Sequence, residues 1–422
     1  MNACIGGETK MRKAVLIFSI CIICLAGCGK KAESIKDSDK TSIVLLNGWG
    51  TMETDNQVMR DIYSDFEEEN PDISLKLISM PSPENVTEKV KEMISVGKLP
   101  NLIYIGETGS DKLYSFMVEQ EYVTDFMPYI NEDKEFGSMI SPYILNRWKT
   151  EDGQLYTITD VLNTGGYWYN KQIFKNAGIE KAPETWEEFF ECCEKIEKWA
   201  KEEKLDTVPL NLDVNTAACI IQASIKENDI NISDDADIVK SLTILKNVKK
   251  YTKIENNYSY RDNLRSFNIG HCAICINGIS SEQSLNENLK MEYMDFPSFN
   301  GEKIGLVSAY PGYFMSSSSD ENQKKACIRF LKYMLSEKVQ GRIWEETGRL
   351  PANPNVDMDR ISDKENRGYQ AYTELMNSDV IKELPGNDWG DRKMDAFQNS
   401  IFQYLEGGIS DKSMCELLKE SK

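Results

Sequence analysis

Residues 41–77, TSIVLLNGWGTMETDNQVMRDIYSDFEEENPDISLKL, decide the architecture. SIVLLN is an apolar run of strand length, bounded by Gly48. Val58, Met59, Ile62, Tyr63 and Phe66 then recur at a spacing that puts them on one helical face. ISLKL follows, alternating apolar and polar side chains as a half-buried strand does. Reading outward, Val86, Val90, Met93 and Ile94 mark a second helix, and NLIYI at 101–105 a third strand. This alternation of strand and helix predicts an α/β fold with parallel strands. Ligands of such sheets collect beyond the carboxyl ends of the strands. Two segments fall there: GWGTMETD at 48–55, with Trp49, and GETG at 106–109, with Glu107 and Thr108.

Upstream, Lys10, Arg12 and Lys13 precede the apolar run AVLIFSICIICLAG. Its length falls short of the ~20 residues that span a bilayer, and basic residues followed by such a run mark a signal peptide. The run ends in LAGC at 25–28, which resembles a lipobox, so Cys28 is expected to carry lipid as the first mature residue. Residues 28–40 read as a flexible tether.

Removing residues 1–27 leaves 46 Lys and Arg against 67 Asp and Glu, a formal charge of −21. That excess of carboxylates argues against nucleic acid as a partner, because binding a polyanion depends on clustered Lys and Arg. The mature chain is longer than the ~250–300 residues at which one hydrophobic core stops growing, which predicts two lobes.

Downstream, FNIGHCAICINGIS at 267–280 holds the only histidine, His271, beside Cys272 and Cys275. A structural zinc site draws four ligands from nearby pairs, and no second pair exists. CAICI ended by Asn277 and Gly278 is instead the pattern of a buried strand and turn. Phe189, Cys192, Cys193, Ile196 and Ala200 share one face of a helix opened by a capping box, Thr185 and Glu188. The seven cysteines after Cys28 are an odd number on helix and strand faces, so no disulfide framework is expected. LVSAYPGYFMS at 306–316 reads as a strand with a Pro-Gly interruption, and 322–347 as two helices ending at TGRLPAN. The region up to Phe299 mixes both periods. FQNSIFQYLEGG and SDKSMCELLKES at the C-terminus read as helices.

In this order the segments resemble the sugar-type extracellular solute-binding proteins of ABC importers. GGYWYNKQIFKNAGIEKAPETWEEF at 165–189 is similar to the family's most specific stretch; FEEENPDISLKL, GKLPNLIYI, FNIGHCAICINGIS and TGRLPAN match other segments. Pro100-Asn101 stands where the family has Pro-Asp, and Ile279 and Ser280 stand where many oligosaccharide binders carry a tryptophan. The resemblance implies a type II periplasmic-binding-protein-like fold: two α/β lobes joined by crossing strands that close on a ligand. It places lobe 1 at 41–157 and 308–352, and lobe 2 at 158–307 and 353–422. It further implies a monomeric lipoprotein on the extracytoplasmic face, a carbohydrate ligand, an ABC permease as partner, and no cofactor or metal.

Sugar sites need aromatic faces for apolar ring faces, and carboxylates or amides for hydroxyls. The candidates are Trp49, Glu107 and Thr108 from the first lobe, Asp160, Asn163, Tyr167, Asp213 and Trp389 from the crossing and second lobe, and Tyr313 from the return strand. Tyr167 has a core alternative, and Asp213 could cap a helix beginning at Asn215. A peptide or polyamine binder on the same fold is the alternative function. A secreted carbohydrate-active enzyme is the rival class, but it needs a defined pair of carboxylates, and no catalytic motif singles one out.

Overall fold

The computed structural model describes residues 40–106, 111–227, 229–252 and 260–419. The signal segment, Cys28 and nearly all of the tether lie outside the described residues, as do Glu107 and Thr108.

The described strands are β1 (Thr41–Asn47), β2 (Ile73–Ser79), β3 (Leu102–Tyr104), β4 (Val161–Asn170), β5 (Val208–Leu210), β6 (Cys272–Asn277), β7 (Met291–Met294), β8 (Ile304–Ser308), β9 (Tyr313–Met315), β10 (Leu350–Pro351) and β11 (Val380–Lys382). They form two sheets, with helices packed on both. In the first the order is β2-β1-β3-β9, with β1 parallel to β2 and β3, and β9 antiparallel to β3. The second runs β11-β8-β4-β6-β5, and the long β4 also pairs β7 and β10.

The period of two decides what each face of the first sheet buries. Leu102 and Tyr104 enter one core with Ile43 and Leu45, whereas Ile103 and Ile105 enter the opposite core with Leu46 and Phe314. The helix Thr54–Glu69 buries Val58, Met59, Ile62, Tyr63 and Phe66, the face its spacing predicts. In the second sheet Tyr167 and Tyr169 point into one core and Trp168 into another.

The Pro-Gly interruption is a crossing between sheets. β8 ends at Ser308 in the second sheet and β9 begins at Tyr313 in the first. A side chain at Gly312 would put its Cβ 2.1 Å from the Ile158 carbonyl oxygen, so glycine lets the returning strand pass the outgoing one. Gly348, at φ 65°, ends the helix Glu337–Thr347 in the left-handed conformation.

All seven cysteines from Cys192 to Cys415 are free thiols. Cys272 and Cys275 sit in β6 and pack against Trp168 and Phe267. Burial pushes the Cys272 thiol up to about 12 and raises Cys275 as well, as befits thiols packed in a core. His271 lies just before β6 and is exposed, not within the apolar strand.

Candidate functional site

Two constellations form where the sheets meet. The first is a cavity of about 290 Å³ on the second sheet's side. Its walls come from Asn163–Gly165 of β4, the amino end of the helix Val214–Ser224, the residues after β6, Tyr310 of the crossing, and the Leu384–Gly386 turn. Two glycines make this shape. A Cβ on Gly278 would lie 2.5 Å from the Thr164 carbonyl oxygen, and one on Gly165 would lie 2.8 Å from Leu384.

Asp213 is both cap and lining. Its Oδ1 accepts from the Thr216 backbone N–H at 2.6 Å, capping a helix that begins at Val214, and its Oδ2 accepts from Asn263 Nδ2. Burial raises its pKa, and the bonds from Thr216 and Asn263 act in the opposite direction. Asn163 faces Ser308 across the β4–β8 ladder, and its Nδ2 is buried with no hydrogen-bond partner. A buried unpaired donor is costly unless something else supplies the acceptor. With Asn215, Thr216 and Asn277, the cavity wall carries amides and a hydroxyl, groups able to donate to and accept from sugar hydroxyls. Tyr310 is its aromatic member.

The second constellation surrounds Asp160, just before β4. Tyr313 Oη donates to Asp160 Oδ2 at 3.2 Å. The Tyr313 and Tyr63 hydroxyls are 3.0 Å apart, and Trp49 Nε1 donates to Tyr63 Oη at 3.1 Å. The Tyr104 ring lies 4.5 Å from that of Tyr313, and the Arg349 guanidinium sits 4.6 Å from the Trp49 ring centre. Asp160 is only 1 % exposed. Burial therefore dominates, and its pKa rises to about 6 even though Tyr313, Arg349 and Tyr104 favour the charged form.

A larger opening of about 760 Å³ lies between the loop after β1 and the second sheet's helix Tyr260–Asn268, with Glu53, Asp55, Arg261, Arg265 and Arg349 on its walls. The units also touch through exposed ion pairs, Glu53 with Arg261 at 2.6 Å and Lys112 with Asp395 at 2.9 Å.

The structure brings Asn163 and Asp213 together in the cavity, and gathers Trp49, Asp160 and Tyr313 around the crossing. Several expected sugar faces are buried instead. Trp49 is 2 % exposed, covered by Tyr104 and Arg349. Tyr313 is fully buried within its hydroxyl chain. Tyr167 is core, with its hydroxyl donating to the Pro183 carbonyl at 3.3 Å. Trp389 is also core: its Nε1 donates to Gln222 Oε1 at 2.9 Å and its ring meets Phe397 edge-on. Sequence reasoning missed Thr164, Asn215, Asn277 and Tyr310. Asn277 and Tyr310 carried a usable signal, since each ends or follows a strand beside glycine or proline.

The profile of bacterial extracellular solute-binding proteins matches residues 61–376. The multiple sugar-binding protein of Streptococcus mutans is 26% identical over 412 residues, covering 92% of each chain. A Streptococcus pneumoniae solute-binding protein, solved in complex with the blood group A-trisaccharide, superposes with a TM-score of 0.72 at 22% identity, covering 90% of this chain and all of that one. The GacH receptor of Streptomyces glaucescens, solved unliganded and in complex with acarbose, gives a TM-score of 0.70 at 17% identity over 91% of this chain and 100% of its own. These likenesses show a two-lobed fold over about nine-tenths of the chain.

Proposed function

The chain belongs to the family of bacterial extracellular solute-binding proteins, and we propose that it captures a mono- or oligosaccharide between its two lobes and delivers it to an ABC permease. The observation that carries this reading is the cavity where the fixed Asp213 carboxylate, the unpaired Asn163 amide and Asn277 face one small volume. The relatives support the same class: one is a multiple sugar-binding protein, and another was solved with the blood group A-trisaccharide. In this reading residues 41–157 and 308–352 form one lobe, and 158–307 with 353–422 the other. Asn163 and Asp213 contact the ligand, while Trp49, Asp160 and Tyr313 set the crossing beneath it. The protein works as a monomer and releases its sugar chemically unchanged.

The test is a thermal-shift panel of sugars, amino acids, short peptides and polyamines. A ligand at a hundred times its Kd stabilises the fold by ~2.7 kcal/mol, a measurable shift in melting temperature. A shift with peptides or polyamines alone refutes the sugar ligand, and hydrolysed products in the tube refute binding without chemistry.

The lipobox at 25–28 supports anchoring through lipid on Cys28. No described helix is long and apolar enough to cross a membrane. Cys28→Ala should abolish fatty-acid labelling and release the protein from the membrane fraction; retention with labelling refutes the anchor.

A further inference from the structure

We infer that the Asp213 cavity selects a neutral or amine-bearing sugar unit and rejects one carrying a carboxylate, and that Asp213 sets this preference. The inference rests on the sugar-binding reading and adds the charge class of the ligand. Three observations carry it. Among the described residues the cavity wall contains a carboxylate, Asp213, and carboxamides at Asn163, Asn215 and Asn277, but no Lys, Arg or His. The Cys219 thiol on the same wall is pushed up to about 12 by burial and stays uncharged at neutral pH. Asp213 cannot swing away, because Thr216 N–H holds one oxygen and Asn263 the other.

One opposing effect must be weighed. Asn215 and Thr216 belong to the first turn of the helix Val214–Ser224, whose amino end favours anions. That end is worth roughly half a positive charge, and Asp213 already caps it with a full negative one. The net field in the cavity is therefore negative. The arginines near the seam line the larger opening, not this wall. A ligand carboxylate placed here would meet Asp213 in a partly desolvated space with no cation to offset it, whereas hydroxyls or an ammonium would not. The unpaired Asn163 Nδ2 donates equally well to a neutral hydroxyl.

The experiment uses the mature protein. Neutral sugars (maltose, maltotriose, lactose, raffinose and chitobiose) are screened by thermal shift. The best binder is then titrated calorimetrically beside the same sugar oxidised at every primary hydroxyl. Wild type should bind the uronate at least about tenfold more weakly. Asp213→Asn keeps a good capping side chain and should narrow that ratio. Equal or tighter binding of the uronate by wild type overturns the inference alone, as does an unchanged ratio in Asp213→Asn. Silence from every sugar, with a shift from another solute class, overturns the sugar reading and this inference with it.

Discussion

Asp160→Asn should stabilise the protein at neutral pH, an unusual direction for a buried residue beside a ligand site. The carboxylate is 1 % exposed and its pKa is about 6, against an ordinary value of 3.8. A raised pKa means that the folded state binds the proton more tightly than the unfolded chain does. The stability linked to this group is thus fully present below about 3.8 and is lost as pH rises through about 6. At 1.36 kcal/mol per pKa unit, the charged form costs about 3 kcal/mol at pH 7.5. Asparagine keeps the shape and an oxygen for Tyr313, removes the charge, and can donate to the Tyr104 or Tyr313 hydroxyl. Part of the gain goes to orienting the amide, so an increase of about 1–3 kcal/mol is expected.

The assay is urea unfolding of wild type and variant at pH 4 and 7.5, without ligand. Taking the difference between variant and wild type cancels the other carboxylates. The variant's advantage should be present at pH 7.5 and shrink towards pH 4. A variant less stable than wild type at pH 7.5, or an advantage that does not change with pH, refutes the argument. A sugar titration on the same samples separates the roles of Asp160. If the carboxylate only sets the crossing, the sugar-induced stabilisation persists in the variant; if it contacts ligand, that stabilisation falls while the apo protein gains.

Trp389→Ala should lower unfolding free energy by about 3–5 kcal/mol through lost packing against Phe397, measured by urea unfolding, and should leave the sugar affinity of the folded fraction nearly intact. A large affinity loss with an unchanged baseline would return Trp389 to the cleft. Gly278→Ala places a Cβ 2.5 Å from the Thr164 carbonyl oxygen, so the wall of the cavity must shift; sugar affinity should fall at least about tenfold by calorimetry. Affinity equal to wild type would show that the wall yields without cost.

The strand and helix alternation from 41 to 105 was legible because both periods are local. Val58 to Phe66 reveal their face within one helix, β2 reveals its face by alternation, and β3 reads as a short apolar run buried on both faces. The cap at Asp213 was legible too, since it follows from the residue's place before a helix, although the helix begins at Val214. Burial of Trp49 and Trp389 was not. Trp389 stands in LPGNDWGD, which has the composition of an exposed loop, yet Gln222 lies 167 positions away in sequence and still accepts its N–H. Trp49 follows a strand end as a cleft residue would, but Tyr63 takes its N–H and Arg349 covers its ring. A partner that distant leaves no periodic trace, so composition wrongly suggested solvent.

What holds the seam between the two units follows from magnitudes. Glu53–Arg261 and Lys112–Asp395 bridge it, but their side chains are 59–80 % and 63–65 % exposed. Pairs of this kind contribute about 0–1 kcal/mol each and weaken with salt. Moving an equilibrium from 1:99 to 99:1 takes about 5.5 kcal/mol, several times what two such pairs supply. In the proposed reading those two exposed pairs add little to closure, and a solute favours the closed form only as far as it gains contacts there. Asn163 Nδ2, buried and without a hydrogen-bond partner among the described residues, is placed to donate to a sugar hydroxyl in the cavity. Raising the ionic strength should therefore loosen the exposed pairs and change sugar affinity little, whereas removing the Asn163 amide should reduce it directly.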